Sequence, residues 1–101
     1  MKNELYTQFD NVFFEKTRLS MMTVLYQEKV VSFNRFKKVI GGTDGSIYTH
    51  LQKLIDAEYI SQKKELVGDK AHTIYSLTRK GKKSFQDYLK FLETVISSKP
   101  E

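Results

Sequence analysis

The stretch Gly41-Gly42-Thr43-Asp44-Gly45-Ser46-Ile47-Tyr48-Thr49-His50-Leu51-Gln52-Lys53-Leu54-Ile55-Asp56-Ala57-Glu58 decides how the chain is read. Its apolar residues Ile47, Leu51, Leu54 and Ile55 recur at i, i+4, i+7 and i+8, the spacing of a helix with one buried face. Gly41-Gly42 stops the segment before it, and Thr43 or Asp44 caps this helix. With Leu51 at the centre of the buried face and about 100° per residue, Ser46, Thr49 and Lys53 fall on the opposite side. Gly45, His50 and Gln52 lie at the flanks, and Tyr48 near the edge of the buried face. The exposed face is therefore small, hydrogen-bonding and basic. A major groove needs such a face: short hydroxyls for close approach, longer donors for base edges or phosphates. Any solvated helix also carries Ser, Thr and Lys, so the neighbouring elements must decide.

Upstream, Phe13, Phe14, Leu19, Met22, Leu25 and Tyr26 recur at three- and four-residue intervals and predict a helix from about Lys16 to Lys29. Residues 1–15 read as an N-terminal arm or short helix, with Leu5, Tyr6 and Phe9 among polar neighbours. Val30-Val31-Ser32-Phe33 is an edge strand running into a cap at Ser32. Phe36, Val39 and Ile40 give a short helix, about Asn34 to Ile40. Downstream, the central helix ends near Glu58 and the period changes to alternation. Ile60 to Val67 is a strand candidate, Gly68-Asp69-Lys70 is turn chemistry, and Thr73 to Leu77 is the returning strand of a hairpin. Thr78 caps a last helix over 79–97, roughly 28 Å long, and Lys99-Pro100-Glu101 is a frayed end. The fold class is mainly α with a β-hairpin (α+β): a helix-turn-helix followed by a wing, in one domain over 1–101.

Charge gathers where this architecture would use it. The hairpin carries Lys63, Lys64, Lys70 and His72, with Lys70 at the tip, where a cation can meet a minor groove or backbone. Edge lysines that merely keep a hairpin soluble explain Lys63 and Lys64 as well. Arg79, Lys80, Lys82 and Lys83 open the last helix, where cations oppose the helix dipole. They either touch phosphates or form a solvated face. The last helix has Leu89, Leu92 and Ile96 on one stripe and Tyr88, Phe91 and Val95 on a second. Apolar on two sides, it predicts a two-fold dimer through the first and last helices.

The 101 residues carry 17 Lys and Arg against 12 Asp and Glu, net +5, which makes nucleic acid the first partner to consider. There is no Cys, so disulfides, thiolate metal sites and Cys nucleophiles are excluded. His50 and His72 are the two histidines, neither with an i, i+4 His partner, so no metal is expected. Gly41 to Gly45 superficially resembles a phosphate loop but lacks the Lys-Ser/Thr that such a loop requires. No catalytic set is present and no cofactor is expected. No apolar run spans a membrane and no signal peptide leads the chain, so the expected location is cytoplasmic.

The residues Thr43-Asp44-Gly45-Ser46-Ile47-Tyr48-Thr49-His50-Leu51-Gln52-Lys53-Leu54, then Ala57-Glu58-Tyr59-Ile60, then Tyr75-Ser76-Leu77-Thr78-Arg79-Lys80-Gly81 resemble the small MarR-like winged-helix transcriptional regulators. The likeness covers about Phe9 to Leu92. It implies a homodimer that binds double-stranded DNA with two recognition helices. By that likeness Thr43, Ser46, Tyr48, Thr49, His50 and Lys53 belong to the major-groove contact, and Lys70 and His72 to the wing. Tyr48 departs from the pattern, standing where such families often carry a small residue. Arg18 matches a recurrent family arginine whose expected role is an ion pair. MarR-like proteins often bind phenolic compounds between the dimer helices, but no residue here specifies a small-molecule effector. The expected function is a sequence-specific regulator on a pseudo-palindromic operator. The alternative is a protein-interaction or general DNA-coating module of the same fold.

Overall fold

The computed structural model describes residues 12–97. The elements run α1 Lys16–Glu28, β1 Val31–Ser32, α2 Phe33–Ile40, α3 Asp44–Asp56, β2 Ile60–Val67, β3 Lys70–Leu77 and α4 Arg79–Ser97. Every element expected between Lys16 and Ser97 is present. Leu5, Tyr6 and Phe9 of the arm, and the end at Lys99-Pro100-Glu101, lie outside the described residues.

Local chemistry sets the boundaries. The Glu15 carboxylate accepts from the Arg18 N–H and caps α1, and Ser32 Oγ accepts from the Arg35 N–H and caps α2. Gly41, with φ of 82°, ends α2 in a conformation that side chains avoid. Thr43, not Asp44, caps α3 through Ser46. Asp44 instead pairs with Lys37 at 2.7 Å and so ties the start of α3 to α2. The α3 helix stops at Asp56, two residues short of the expected end, because Glu58 takes a φ of 67°.

The sheet has strand order β1-β3-β2, antiparallel throughout. Gly68-Asp69 alone forms the hairpin loop, since Val67 pairs with Lys70. The returning strand therefore begins three residues earlier than the alternation of Thr73 to Leu77 indicated. One core gathers Met21, Met22 and Leu25 of α1, Phe36 of α2, Ile47, Leu51 and Leu54 of α3, Tyr75 of β3 and Phe85 of α4.

The start of α4 is fastened to the end of α3. Thr78 Oγ1 accepts from the Gly81 N–H and donates to the Glu58 carbonyl at 2.6 Å. Lys80 Nζ donates to the Ala57 carbonyl at 2.8 Å and lies 5.1 Å from the Tyr59 ring centre. Lys83 pairs with Asp87 one turn on. Two of the four basic residues opening α4 thus have partners within the chain. An aromatic cluster packs on the middle of α4: Phe13 and Phe14 meet Tyr88 edge-on, and Tyr26 stacks obliquely on Phe85. Tyr88, half-buried, belongs to this cluster, so its stripe of α4 is covered within the chain at that position but not at Val95. Leu89, Val95 and Ile96 stay exposed. No helix among the described residues is long and apolar enough to cross a membrane.

Candidate nucleic-acid interface

The α3 helix presents Gly45, Ser46, Tyr48, Thr49 and Lys53 to solvent and buries Ile47, Leu51 and Leu54. Ser46, Thr49 and Lys53 stand at i, i+3 and i+7, in one row along the exposed side. Thr43 spends its oxygen lone pair on the Ser46 N–H and keeps its O–H as an outward donor. Its cap also turns the first N–H groups of α3 outward, a polarity that favours phosphate.

Tyr48 is more open than its helical position suggested, at 57% exposure. It forms one wall of a cleft of about 500 Å³ whose other residues are Phe33 of α2 and Gln62, Lys63, Lys64, Thr73 and Tyr75 of the hairpin. The Tyr75 phenol, buried in the cleft floor, is pushed above the usual tyrosine range by that burial, with the Tyr48 phenol adding to the shift. The cleft joins recognition helix and wing in one surface. Its floor was missed in the sequence. The signal was strand register, because Gln62 pairs with Tyr75 and Lys64 with Thr73, and paired residues share a face. The Lys64 ammonium donates to Thr73 Oγ1 at 3.1 Å, which holds it on that face.

His50 stands apart from the exposed row. Arg18 is 8% exposed and reaches His50 Nδ1 at 3.0 Å, while its Nε donates to the Val12 carbonyl at 2.8 Å. A guanidinium only donates, so Nδ1 is the accepting atom of this contact. Glu15 lies 3.7 Å from the same nitrogen and 4.0 Å from Arg18. Burial works to raise the Glu15 pKa, but the Arg18 backbone N–H and the neighbouring His50 and Arg18 side chains outweigh it and hold the carboxyl below its usual range. Arg18 thus ties α1 to the flank of α3, an ion pair and not a surface cation.

Lys70 is exposed beside the hairpin loop. His72 is half-buried, pairs with Glu65 across the hairpin, and lines a small cavity with Ser32, Phe33 and Asn34 at the start of α2. The structure thus leaves Thr43, Ser46, Tyr48, Thr49 and Lys53 exposed and brings Tyr48 together with Lys63 and Lys64 in one cleft. Lys70 stands at the end of the same arm, and His50 and His72 pack against other elements.

Comparison with known proteins agrees with this geometry. Residues 17–96 match the family model described as a winged helix DNA-binding domain. The uncharacterized protein MJ0432 of Methanocaldococcus jannaschii is 30% identical over 78 residues, 77% of this chain and 85% of that protein. The transcriptional regulator homologue of Pyrococcus horikoshii superposes with a TM-score of 0.80 at 22% identity over 91% of both chains. MarR superposes with a TM-score of 0.69 at 15% identity, over 81% of this chain and 59% of that one. Bacillus subtilis PadR, solved with operator DNA, gives 0.63 at 21% identity, over 74% of this chain and 47% of PadR. The winged-helix reading of the sequence holds: the matching family model is that of a DNA-binding domain, and the structural neighbours share the fold. On the family model across residues 17–96 and the relative at 30% identity, the chain belongs to the winged helix DNA-binding domain family.

Proposed function

We propose that the protein is a sequence-specific transcriptional regulator that binds a pseudo-palindromic DNA duplex as a homodimer. The observation that carries this is the exposed, hydrogen-bonding row of Ser46, Thr49 and Lys53 on α3, next to a cleft that Tyr48 of α3 shares with Lys63 and Lys64 of the wing. Two recognition helices in a dimer meet successive major grooves about 10 bp apart. Lysines supply the sequence-independent part of the affinity, while Ser46, Thr49 and Lys53 bias the sequence read. Thr43 and the Tyr48 hydroxyl contact phosphates at the groove edge, and Lys70 contacts the backbone beyond. His50 serves from behind, holding α3 against Arg18, and His72 stands on the inner side of the wing facing the cavity at the start of α2. The fold shared with PadR, which was solved on operator DNA, supports the same docking. A cytoplasmic location suits this role.

Fluorescence anisotropy tests it, comparing a duplex from the region upstream of the protein's own coding sequence with a shuffled one. Lys53→Ala and Thr49→Ala are expected to weaken binding to the preferred duplex about tenfold each, and binding to the shuffled duplex less, since a good base contact is worth ~1–3 kcal/mol. Equal weakening on both duplexes would point to a protein that coats DNA without reading it. Unchanged binding by both variants would remove α3 from the interface.

A further inference from the structure

We propose that the tip of the wing is an apolar wedge that enters the minor groove, opens a base step and bends the duplex. The inference rests on the DNA-binding reading above and adds an action to it. Residues 61–71 are all exposed, and β2 beyond Lys64 runs past the cleft that Gln62, Lys63 and Lys64 share with Tyr48. Solvated strands are normally kept polar. Here the last two residues of β2 are Leu66 and Val67, exposed at 75% and 58%.

Their placement suits insertion. Adjacent strand residues point to opposite faces. Leu66 pairs with Ala71 and lies on the side of Lys64 and Thr73, and Val67 lies on the other. Just behind the Gly68-Asp69 loop, between the acids Glu65 and Asp69, the strand is therefore apolar on both faces, and a group driven between stacked base pairs meets a base on each side. The Gly68-Asp69 loop keeps the tip narrow, with Gly68 at a φ of 65°. Behind the tip stand Lys63 and Lys64 on one strand and Lys70 on the other, cations for the phosphates that line a minor groove. Leu66 lies six residues beyond Ile60, the one buried residue of β2, a reach of about 20 Å at ~3.3 Å per residue. A minor groove about 6 Å wide must open to admit such an arm, and a kink at the wedged step opens it. Pyrimidine–purine steps unstack most easily, so the wedge adds a preference for TpA or CpA at positions that α3 does not touch.

The test uses the full chain and a bound duplex carrying dyes at its ends and 2-aminopurine at the step under the wing. Wild type is expected to shorten the end-to-end distance, brighten the 2-aminopurine and prefer TpA over an A-tract about fivefold to tenfold. The double variant Leu66→Ser, Val67→Ser alters two exposed residues and leaves the core intact. It should keep the sequence preference read by α3 and lose the bend, the fluorescence change and the TpA preference. Asp69 is the acid at the tip, and Asp69→Asn should tighten binding a few-fold by removing its repulsion of phosphate. A straight duplex with wild type, or an unchanged bend with the double variant, overturns the wedge and leaves the tip to a protein partner. Binding to no duplex at all would overturn the DNA-binding reading with it, and a straight but sequence-specific complex would overturn the wedge alone.

Discussion

Gly81 has less room for a side chain than any other glycine of the protein. A Cβ built there overlaps the Tyr59 carbonyl group, coming within 2.9 Å of its carbon, because the start of α4 lies directly on the backbone between α3 and β2. Gly81→Ala is expected to destabilise the fold by about 2 kcal/mol, read as a lower urea midpoint with an unchanged slope. The sequence Thr78-Arg79-Lys80-Gly81 was recognisable as a motif, but its reason was not. The hydrogen bonds that explain it join Thr78 to Glu58, 20 residues away, and Lys80 to Ala57, 23 away. Arg18 is a second case. Arg18→Met keeps the bulk but leaves the Val12 carbonyl and His50 Nδ1 without this donor, at an expected cost of about 2 kcal/mol by chemical denaturation. Glu15 makes the site sensitive to acid. Its folded pKa lies below the unfolded value near 4.5, so its contribution is fully present above that pH and is lost as pH falls through the folded pKa. Melting curves below pH 4.5 should therefore fall more steeply for wild type than for Glu15→Gln.

At the scale of elements, the helices were legible because most of their starts, and the stop of α2, are written in their own residues. Ser32, Thr43 and Thr78 are caps, and Gly41 is a stop. Thr43→Ala should cost ~1 kcal/mol of stability and weaken DNA binding as well, since the α3 terminus frays. Lys29 and Glu58 end their helices at φ of 75° and 67°, a region open to glycine, and neither was signalled in the sequence. Glu58→Gly is expected to raise the melting temperature by a few degrees, about 0.5–1 kcal/mol, by relieving that conformation. The hairpin was legible at its root and not at its tip. Ile60, Ile74 and Tyr75 are buried, so the pattern marks them, whereas residues 61–71 are solvated on both faces and alternation has nothing to record. The same solvation hid the cleft behind Tyr48, whose walls come from α2, α3, β2 and β3 and whose floor follows from strand register.

At the scale of the whole molecule, the surplus of apolar surface on α4 divides into two parts. Phe85 and Tyr88 are occupied by Phe13, Phe14 and Tyr26 within the chain. Leu89, Val95 and Ile96 are not buried within the described residues, and the proposed two-fold partner covers them. Burying one large aliphatic side chain is worth ~1.5–3 kcal/mol, so Ile96→Lys should weaken dimerisation at least tenfold by analytical ultracentrifugation while the monomer stays folded. Because two half-sites bind together, the same variant should lose operator affinity far more than affinity for a single half-site. The central claim is that α3 of each protomer reads bases in a duplex. Selection from a randomised duplex pool tests it most directly. The account predicts enrichment of a pseudo-palindrome whose half-sites are centred about 10 bp apart, with the enriched bases shifting when Lys53→Ala is used as bait. A pool that stays random after repeated rounds, while still binding the protein at low salt, would contradict it.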